Sequence, residues 1–195
     1  ANAPVASGTG AVTYRYNTED GKVPANAGTY TVTAIFGATD LYEEATATAE
    51  FTIAKKSIQV TADAKSKTYG DADPALTYTV NGLVGDDQMT GELKRVANEN
   101  VGTYTIEQNT LTAGDNYTIL YTCANFTINS KPITVKADAV SKIYGETDPE
   151  LTYQVEGLVN GDQMTGELKR VEGENVGTYA IEQNTLTAGD NYTIT

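Results

Sequence analysis

The alternation of apolar and polar residues along the chain predicts short β-strands. In Ala45–Ile53 (ATATAEFTI) the odd positions hold Ala, Phe or Ile, and the even positions hold Thr or Glu. Residues 76–80 (LTYTV) and 116–122 (NYTILYT) alternate in the same way. Because successive side chains of a strand point to opposite faces, each segment is expected to have one solvated face and one buried face.

Turn-forming sequences separate these segments at short intervals. They are rich in Gly, Asn and Asp, as in YGDADP, NGLVGDD, NENVG and TAGDN. Such residues favour turns because Gly accepts positive φ and Asn and Asp bond to their own backbone. GELKRV fits the alternation poorly. No segment keeps a helical period, although NGLVGDD and EGLVNGD are each long enough for one helical turn.

The chain contains internal repeats. DQMTGELKRV occurs twice, and residues 56–120 align with 131–195 at a constant offset of 75, with 49 of 65 positions identical. A more distant copy precedes them, since AGTYTVTA resembles VGTYTIEQ and AEFTIAK resembles ANFTINS. We predict three modules: 1–54, incomplete at its amino end; 55–130, complete; and 131–195, which lacks a counterpart of 121–130 and its ANFTI strand.

This organisation predicts a mainly β fold, a tandem array of small sandwich-like modules, Ig-like or β-grasp-like, with at most short helical turns. A module of this size is marginally stable alone. The junctions TIAKKSIQV and TINSKPITV contain no flexible Gly/Ser run, so stiff stacking is expected. Since a ten-residue strand spans about 33 Å, three modules in line would reach on the order of 100 Å.

Composition limits the classes of partner. A net charge of −13 disfavours nucleic acid and anionic membranes, and no apolar run is long enough for membrane insertion. Cys123 is the only cysteine, which excludes an internal disulfide and favours an unreactive free thiol. The chain begins at Ala1 without a leader, so we expect it to be a segment of a longer protein.

Acidic residues in the turns are the candidate calcium ligands, because calcium prefers several oxygen ligands. The main candidates are Asp71, Asp73, Asp86, Asp87, Asp148 and Asp162, with Asp115, Glu146 and Asp190 nearby in similar turns. Their spacing does not match a known calcium loop, and Asp is common in turns for its own reasons. We therefore expect solvated turn residues and no metal site.

Other residues give little indication of catalysis. The chain has no histidine, and a module of about 75 residues offers little room for the cleft that two catalytic carboxylates require. We expect no catalytic residues and no cofactor. Lys94 and Lys169 are conceivable donors for an intramolecular isopeptide bond. Four tyrosines could form a recognition surface or belong to the core: Tyr69, Tyr78, Tyr104 and Tyr117. The apolar neighbours of Tyr78 and Tyr117 favour a place in the core.

The second module resembles the bacterial MBG domain of the type that carries a Tyr-Gly motif. The resemblance lies in the order KTYGDADPALTYTVNGL, GDDQMTGELKRV, NENVGTYTI, LTAGDNYTI and ANFTI, with the motif at Tyr69-Gly70. The third module repeats this order from KIYGETDPELTYQVEGL, and the first looks like a divergent relative. The resemblance implies tandem repeats in large secreted or cell-surface proteins, often adhesin-like, and supplies no catalytic residues.

These observations together favour a structural role. We expect a non-catalytic stalk or spacer segment of a bacterial cell-surface or secreted protein. The alternative is a module that itself binds a glycan or protein during adhesion. The expected partners are neighbouring modules of the same chain, with a host glycan or protein reached through a distal domain outside this sequence.

Overall fold

A computed structural model describes residues 11–40, 42–159 and 161–195. Within these ranges the chain forms fifteen strands and no helix, so the predicted mainly β fold is confirmed. The first ten residues of the predicted first module lie outside the described residues. No helix in the described part of the chain has the length and apolarity needed to cross a membrane.

The chain forms two compact units. Of the described residues, the first unit comprises those from 11 to 60 together with Val80–Glu92 and Thr110–Tyr121. The second comprises Thr61–Thr79, Leu93–Asn109 and Thr122–Thr195. The division passes through the second repeat, and the predicted module boundaries stay a prediction.

The first unit begins with a three-stranded antiparallel sheet in the order β1-β2-β3. Its strands are β1 (Val12–Tyr16), β2 (Gly28–Phe36) and β3 (Ala45–Ile53). Phe51 of β3 packs against the rings of Tyr16 and Tyr30 at centroid distances of 6.2 and 5.7 Å. The predicted buried face of β3 is wrong for its amino-terminal half, because the three alanines there are exposed and only Phe51 and Ile53 are half-buried.

A second sheet has β4 (Lys56–Ala62) at its centre, between β6 (Tyr78–Asn81) and β9 (Tyr117–Thr122). Strand β4 alternates strongly: Ile58, Val60 and Ala62 are buried, and the residues between them are exposed. On β9 Tyr117 is buried and its threonine neighbour is exposed, as the period of two predicts.

The second unit contains a four-stranded sheet in the order β5-β10-β8-β7. Its strands are β5 (Lys65–Thr68), β7 (Lys94–Arg95), β8 (Gly102–Glu107) and β10 (Ala124–Asn129). Strand β10 is central: it pairs parallel with β5 and antiparallel with β8. Its Phe126 and Ile128 are 0% and 1% exposed, so this strand supplies the core. GELKRV yields only the two-residue strand β7, in keeping with its poor alternation.

The third repeat, also in the second unit, reproduces part of this architecture. Strands β11 (Lys131–Ala137), β12 (Tyr153–Glu156) and β15 (Tyr192–Ile194) form a sheet in the order β12-β11-β15. Strands β13 (Lys169–Arg170) and β14 (Ile181–Glu182) form a two-stranded sheet.

The third repeat differs where β10 would have its counterpart. Residues 140–143, which correspond to β5, form no strand, and β14 has two residues where β8 has six. A groove of about 660 Å³ lies there, lined by residues that include Val140, Leu151, Tyr179 and Ile181. In the second repeat β10 pairs with both β5 and β8, the two strands whose counterparts are lost or shortened here.

Candidate functional site

The described contacts between repeats centre on an asparagine that comes just before the last strand of a central sheet. In the first unit Asn116 precedes β9. Its side-chain oxygen accepts a hydrogen bond from the Ala27 amide at 2.7 Å, and its amide nitrogen donates to Asn26 Oδ1 at 3.0 Å. The Asn116 carbonyl accepts from the Lys56 amide at 2.8 Å. One residue therefore bonds to the backbone on both sides of the first junction.

The second unit repeats this arrangement with Asn191, which precedes β15. Asn191 Oδ1 accepts from the Val101 amide at 2.8 Å, and its amide nitrogen donates to Asn100 Oδ1 at 3.1 Å. The Lys131 amide donates to the Asn191 carbonyl at 2.9 Å. The two junctions therefore share one arrangement, in which an asparagine bonds to the backbone of both repeats. We call it the asparagine clasp: Asn116 with Ala27 and Lys56, and Asn191 with Val101 and Lys131.

Beside each clasp lies a buried tyrosine that bonds to an aspartate of its own repeat. Tyr117 donates to Asp87 and accepts from the Val84 amide at 3.0 Å. Tyr192 donates to Asp162 at 2.7 Å and accepts from the Val159 amide at 3.1 Å. Burial raises the pKa of Tyr192, and the hydrogen bond to Asp162 acts in the same direction. We call Val159, Asp162 and Tyr192 the acceptor face of the third repeat.

The Tyr-Gly motif of the second repeat contacts this acceptor face. The Tyr69 hydroxyl donates to Asp162 Oδ2 at 2.9 Å, and its ring meets the Tyr192 ring edge-on at 5.3 Å. Gly70, at φ +84°, lies so close to Val159 that an added Cβ would be 2.6 Å from Val159 Cγ2. Only glycine fits both this backbone conformation and this approach.

The first junction lacks a Tyr-Gly motif, and the exposure of its residues shows the consequence. Val84, the counterpart of Val159, is 53% exposed, whereas Val159 is half-buried. The motif tyrosines differ in the same way: Tyr69 of the second repeat is 8% exposed, whereas its counterpart Tyr144 of the third repeat is 71% exposed. The motif therefore covers an apolar residue that is otherwise open to solvent.

An ion-pair cluster lies in the same unit. Lys67 and Arg95 have side chains only 4% and 9% exposed, and both contact Asp73 and Glu99. The Arg95 guanidinium also lies 4.9 Å from the centroid of the Phe126 ring. Burial disfavours the charge on Lys67, but hydrogen bonds to Asp73 and Glu99 outweigh it and raise the pKa of the amine. Hydrogen bonds from Arg95, then from Lys67, lower the pKa of Asp73.

The third repeat forms the same cluster from its counterpart residues. Lys142 and Arg170 contact Asp148 at 2.6 and 2.7 Å, and both also contact Glu174. The hydrogen bonds from Arg170, then from Lys142, lower the pKa of Asp148 to about 2. Here the two cations are 20% and 19% exposed, more than in the second repeat. The cluster is thus an intrinsic feature of the repeat, and its burial depends on the surrounding strands.

The structure separates the acidic residues proposed as calcium ligands. Asp73 and Asp148 contact cations, while Asp87 and Asp162 accept hydrogen bonds from tyrosines. Asp71 and Asp86 are exposed turn residues, as are the nearby Asp115, Glu146 and Asp190. Within the described ranges no group of three or more Asp, Glu, His or Cys side chains is placed to hold a metal ion.

The other candidate residues, which are tyrosines, two lysines and a cysteine, differ in exposure. Tyr117 is buried and Tyr78 half-buried, while Tyr104 is half-buried and donates to the Asn100 carbonyl at 2.7 Å. Lys94 and Lys169 are exposed, and Lys169 pairs with Glu172. Cys123 is an exposed free thiol.

Sequence reasoning missed the buried lysine, Lys67, and the asparagine clasps. Lys67 shares its strand face with Tyr69, a signal that the period of two contains. Lys67 of β5 and Arg95 of β7 share Asp73 and Glu99, so the cluster connects these two strands through ion pairs.

A chain of small sheets with repeated hydrogen-bonded junctions defines the class: a tandem β-repeat protein. The model of the MBG domain (YGX type) matches residues 58–127 and 133–195, more than half of the chain. The chain therefore belongs to the MBG domain family, a non-catalytic domain type that is typical of bacterial surface proteins. No curated protein and no solved structure gives a significant match.

Proposed function

We propose that this chain is a non-catalytic spacer segment of a bacterial cell-surface or secreted adhesin-like protein. The observation that carries the proposal is the connection between repeats. Only Ser130 separates β10 from β11, and only residues 54–55 separate β3 from β4. Each junction also has an asparagine clasp, so successive repeats are joined by both a short linker and specific hydrogen bonds.

The short linkers favour a spacer because a flexible tether would let a distal domain fall back toward the surface. The net charge of −13 would also keep neighbouring copies apart by repulsion. On this proposal the chain works outside the cell, has no cofactor, and contacts host glycan or protein only through another domain.

Small-angle scattering tests the proposal. We expect the maximum dimension to be on the order of 100 Å, in keeping with three modules in line. Removing one whole repeat, residues 56–130, should shorten that dimension by about one third, because the junction from residue 55 into 131 keeps the same kind of linker. A compact scattering profile for the intact chain would contradict a spacer role.

Direct recognition is the competing function, and a glycan array with the intact chain separates the two. A spacer should bind no glycan above background. Binding that is lost when exposed tyrosines such as Tyr14 or Tyr42 are replaced by Ala would assign adhesion to the repeats themselves, since both side chains are more than half exposed.

A further inference from the structure

The second repeat contacts the third through its Tyr-Gly motif. The third repeat has the same motif, and there it is exposed. In the second repeat, Tyr69 and Gly70 lie on the acceptor face of the third, with Tyr69 8% exposed. The matching residues of the third repeat are Tyr144 and Gly145. Tyr144 is 71% exposed, and nothing lies within 4 Å of a Cβ built on Gly145.

The neighbouring residues are uncovered as well. Ile143, which precedes the motif, is 70% exposed. Val176 is 93% exposed, while its counterpart Val101 is half-buried and donates its amide to Asn191. Tyr144, Gly145 and Val176 are therefore counterparts of residues that contact the next repeat at the second junction, and Ile143 is an exposed apolar residue beside them.

We propose that Ile143, Tyr144, Gly145 and Val176 form a docking surface for a further repeat of the same kind. The occupant would present a valine, an aspartate and a tyrosine in the arrangement of Val159, Asp162 and Tyr192. The Tyr144 hydroxyl would donate to that aspartate, Gly145 would lie on that valine, and the Val176 amide would bond to an asparagine placed like Asn191.

The chemistry of the occupant follows from the second junction. Tyr69 has one hydroxyl proton, and it goes to a carboxylate that already accepts from Tyr192. A carboxylate accepts several hydrogen bonds, whereas a neutral amide oxygen is the weaker acceptor. Gly70 lies directly against the Val159 side chain, which leaves no room for a side chain at position 70. An occupant should therefore present a small apolar side chain at the position of Val159. The Tyr-Gly motif is thus a coupling element between repeats.

Two extended chains test the proposal. The longer chain adds a copy of residues 121–195 after Thr195, which aligns with Leu120, and so supplies both the last strand of the third repeat and a fourth repeat. The shorter chain adds only 121–130, which supplies the strand without a new repeat. Hydroxyl-radical footprinting then measures the reactivity of Tyr144, with Tyr14, 63% exposed, as the internal reference.

We expect Tyr144 to lose most of its reactivity in the longer chain, to the level of Tyr69, and to keep it in the shorter one. Full protection in the shorter chain would overturn the proposal, because Tyr144 would then be a core residue of its own repeat. Continued reactivity in the longer chain would also overturn it. Protection in the 195-residue chain that appears with concentration-dependent dimerisation would assign the surface to a second copy and contradict the proposed occupant.

The glycines give a matched control. Gly70→Ala and Gly145→Ala introduce the same backbone strain, since φ is +84° and +89°, but only Gly70 has a close neighbour across a junction. In the 195-residue chain we expect Gly70→Ala to lower the melting temperature more than Gly145→Ala. In the longer chain the two decreases should become equal. A difference that persists there would mean that Gly145 has gained no neighbour.

A second control uses the existing junction. Asp162→Ala should raise the footprinting reactivity of Tyr69, because it removes the acceptor of the hydroxyl. Asp87→Ala removes the same kind of bond from Tyr117 but should leave Tyr69 unchanged. An unchanged Tyr69 in both variants would show that the hydroxyl bond contributes nothing to docking.

Discussion

At the scale of single residues, the second and third repeats show how surroundings alter the same amino acid. Ile58 and Ile133 are both buried, at 1% and 2% exposed, and Leu111 and Leu186 are equally buried. Ile106 is 0% exposed, yet its counterpart Ile181 is only half-buried. Ile106 pairs with Ala124 of β10, so the burial of this side chain depends on a neighbouring strand as well as on local sequence.

Phe126 of β10 has the largest fully buried side chain among the described residues. Phe126→Ala should destabilise the chain by about 3–5 kcal/mol, because it removes a completely buried ring and leaves a cavity beneath Arg95. Denaturant unfolding measures this. Val176→Ala, at a side chain 93% exposed, is the control and should change stability by less than about 0.5 kcal/mol. Similar values for both would mean that β10 is not part of the core.

Asp148 should make stability depend on pH in the acid range. Its pKa is about 2 in the folded chain and 3.8 ordinarily, so the stabilisation is present above about 4 and is lost as the pH falls toward 2. Melting temperatures between pH 5 and pH 2 measure the effect. Asp148→Asn should flatten part of that dependence. Glu172→Gln, at an exposed carboxylate that forms an ion pair with exposed Lys169, is the control and should change the curve less than Asp148→Asn does.

At the scale of elements, the strands on both sides of β10 are longer in the second repeat than their counterparts in the third. Strand β10 pairs along four residues of β5 and five of β8. In the third repeat the segment equivalent to β8 differs from it at one of six residues and the segment equivalent to β5 at two of four, yet neither is a regular strand over the same length. Strand propensity alone is insufficient there, because an isolated edge has no partner for its amide and carbonyl groups.

Adding the sequence of residues 121–130 after Thr195 should therefore restore strand structure in the third repeat. The new Phe and Ile would fill the groove beside Val140 and Ile181. Burial of each side chain should increase the free energy of unfolding by roughly 1.5–3 kcal/mol. Amide exchange should slow across residues 133–194. An extension with both residues replaced by Ser is the control and should give little protection. If neither extension slows exchange, the alignment between the repeats is wrong.

At the scale of the whole molecule, the acidic surface raises the question of metal dependence. We expect calcium to change the melting temperature by less than roughly 10 °C, because a ligand that binds only the folded state stabilises by mass action and the acidic residues here are spread apart. Thermal melting with calcium and with a chelator measures this. Magnesium at the same ionic strength controls for screening of the net charge. A larger shift with calcium alone would assign a site to the acidic turns.

The sequence by itself determined much of the local structure and the family. Alternation placed β3 at Ala45–Ile53 as the structure has it, and the repeated order around Tyr69-Gly70 identified the MBG family. These features are predictable because strand alternation and turn chemistry depend on residues that are adjacent in the chain.

Tertiary structure alone decided which residues meet. Lys67 and Glu99 lie 32 positions apart and Tyr69 and Asp162 lie 93 apart, and the sequence holds no signal for either pair. The difference between buried Tyr69 and exposed Tyr144 was equally hidden, since both stand in the same motif. Whether a side chain is covered depends on what another segment brings to it, and a local pattern carries no information about that segment.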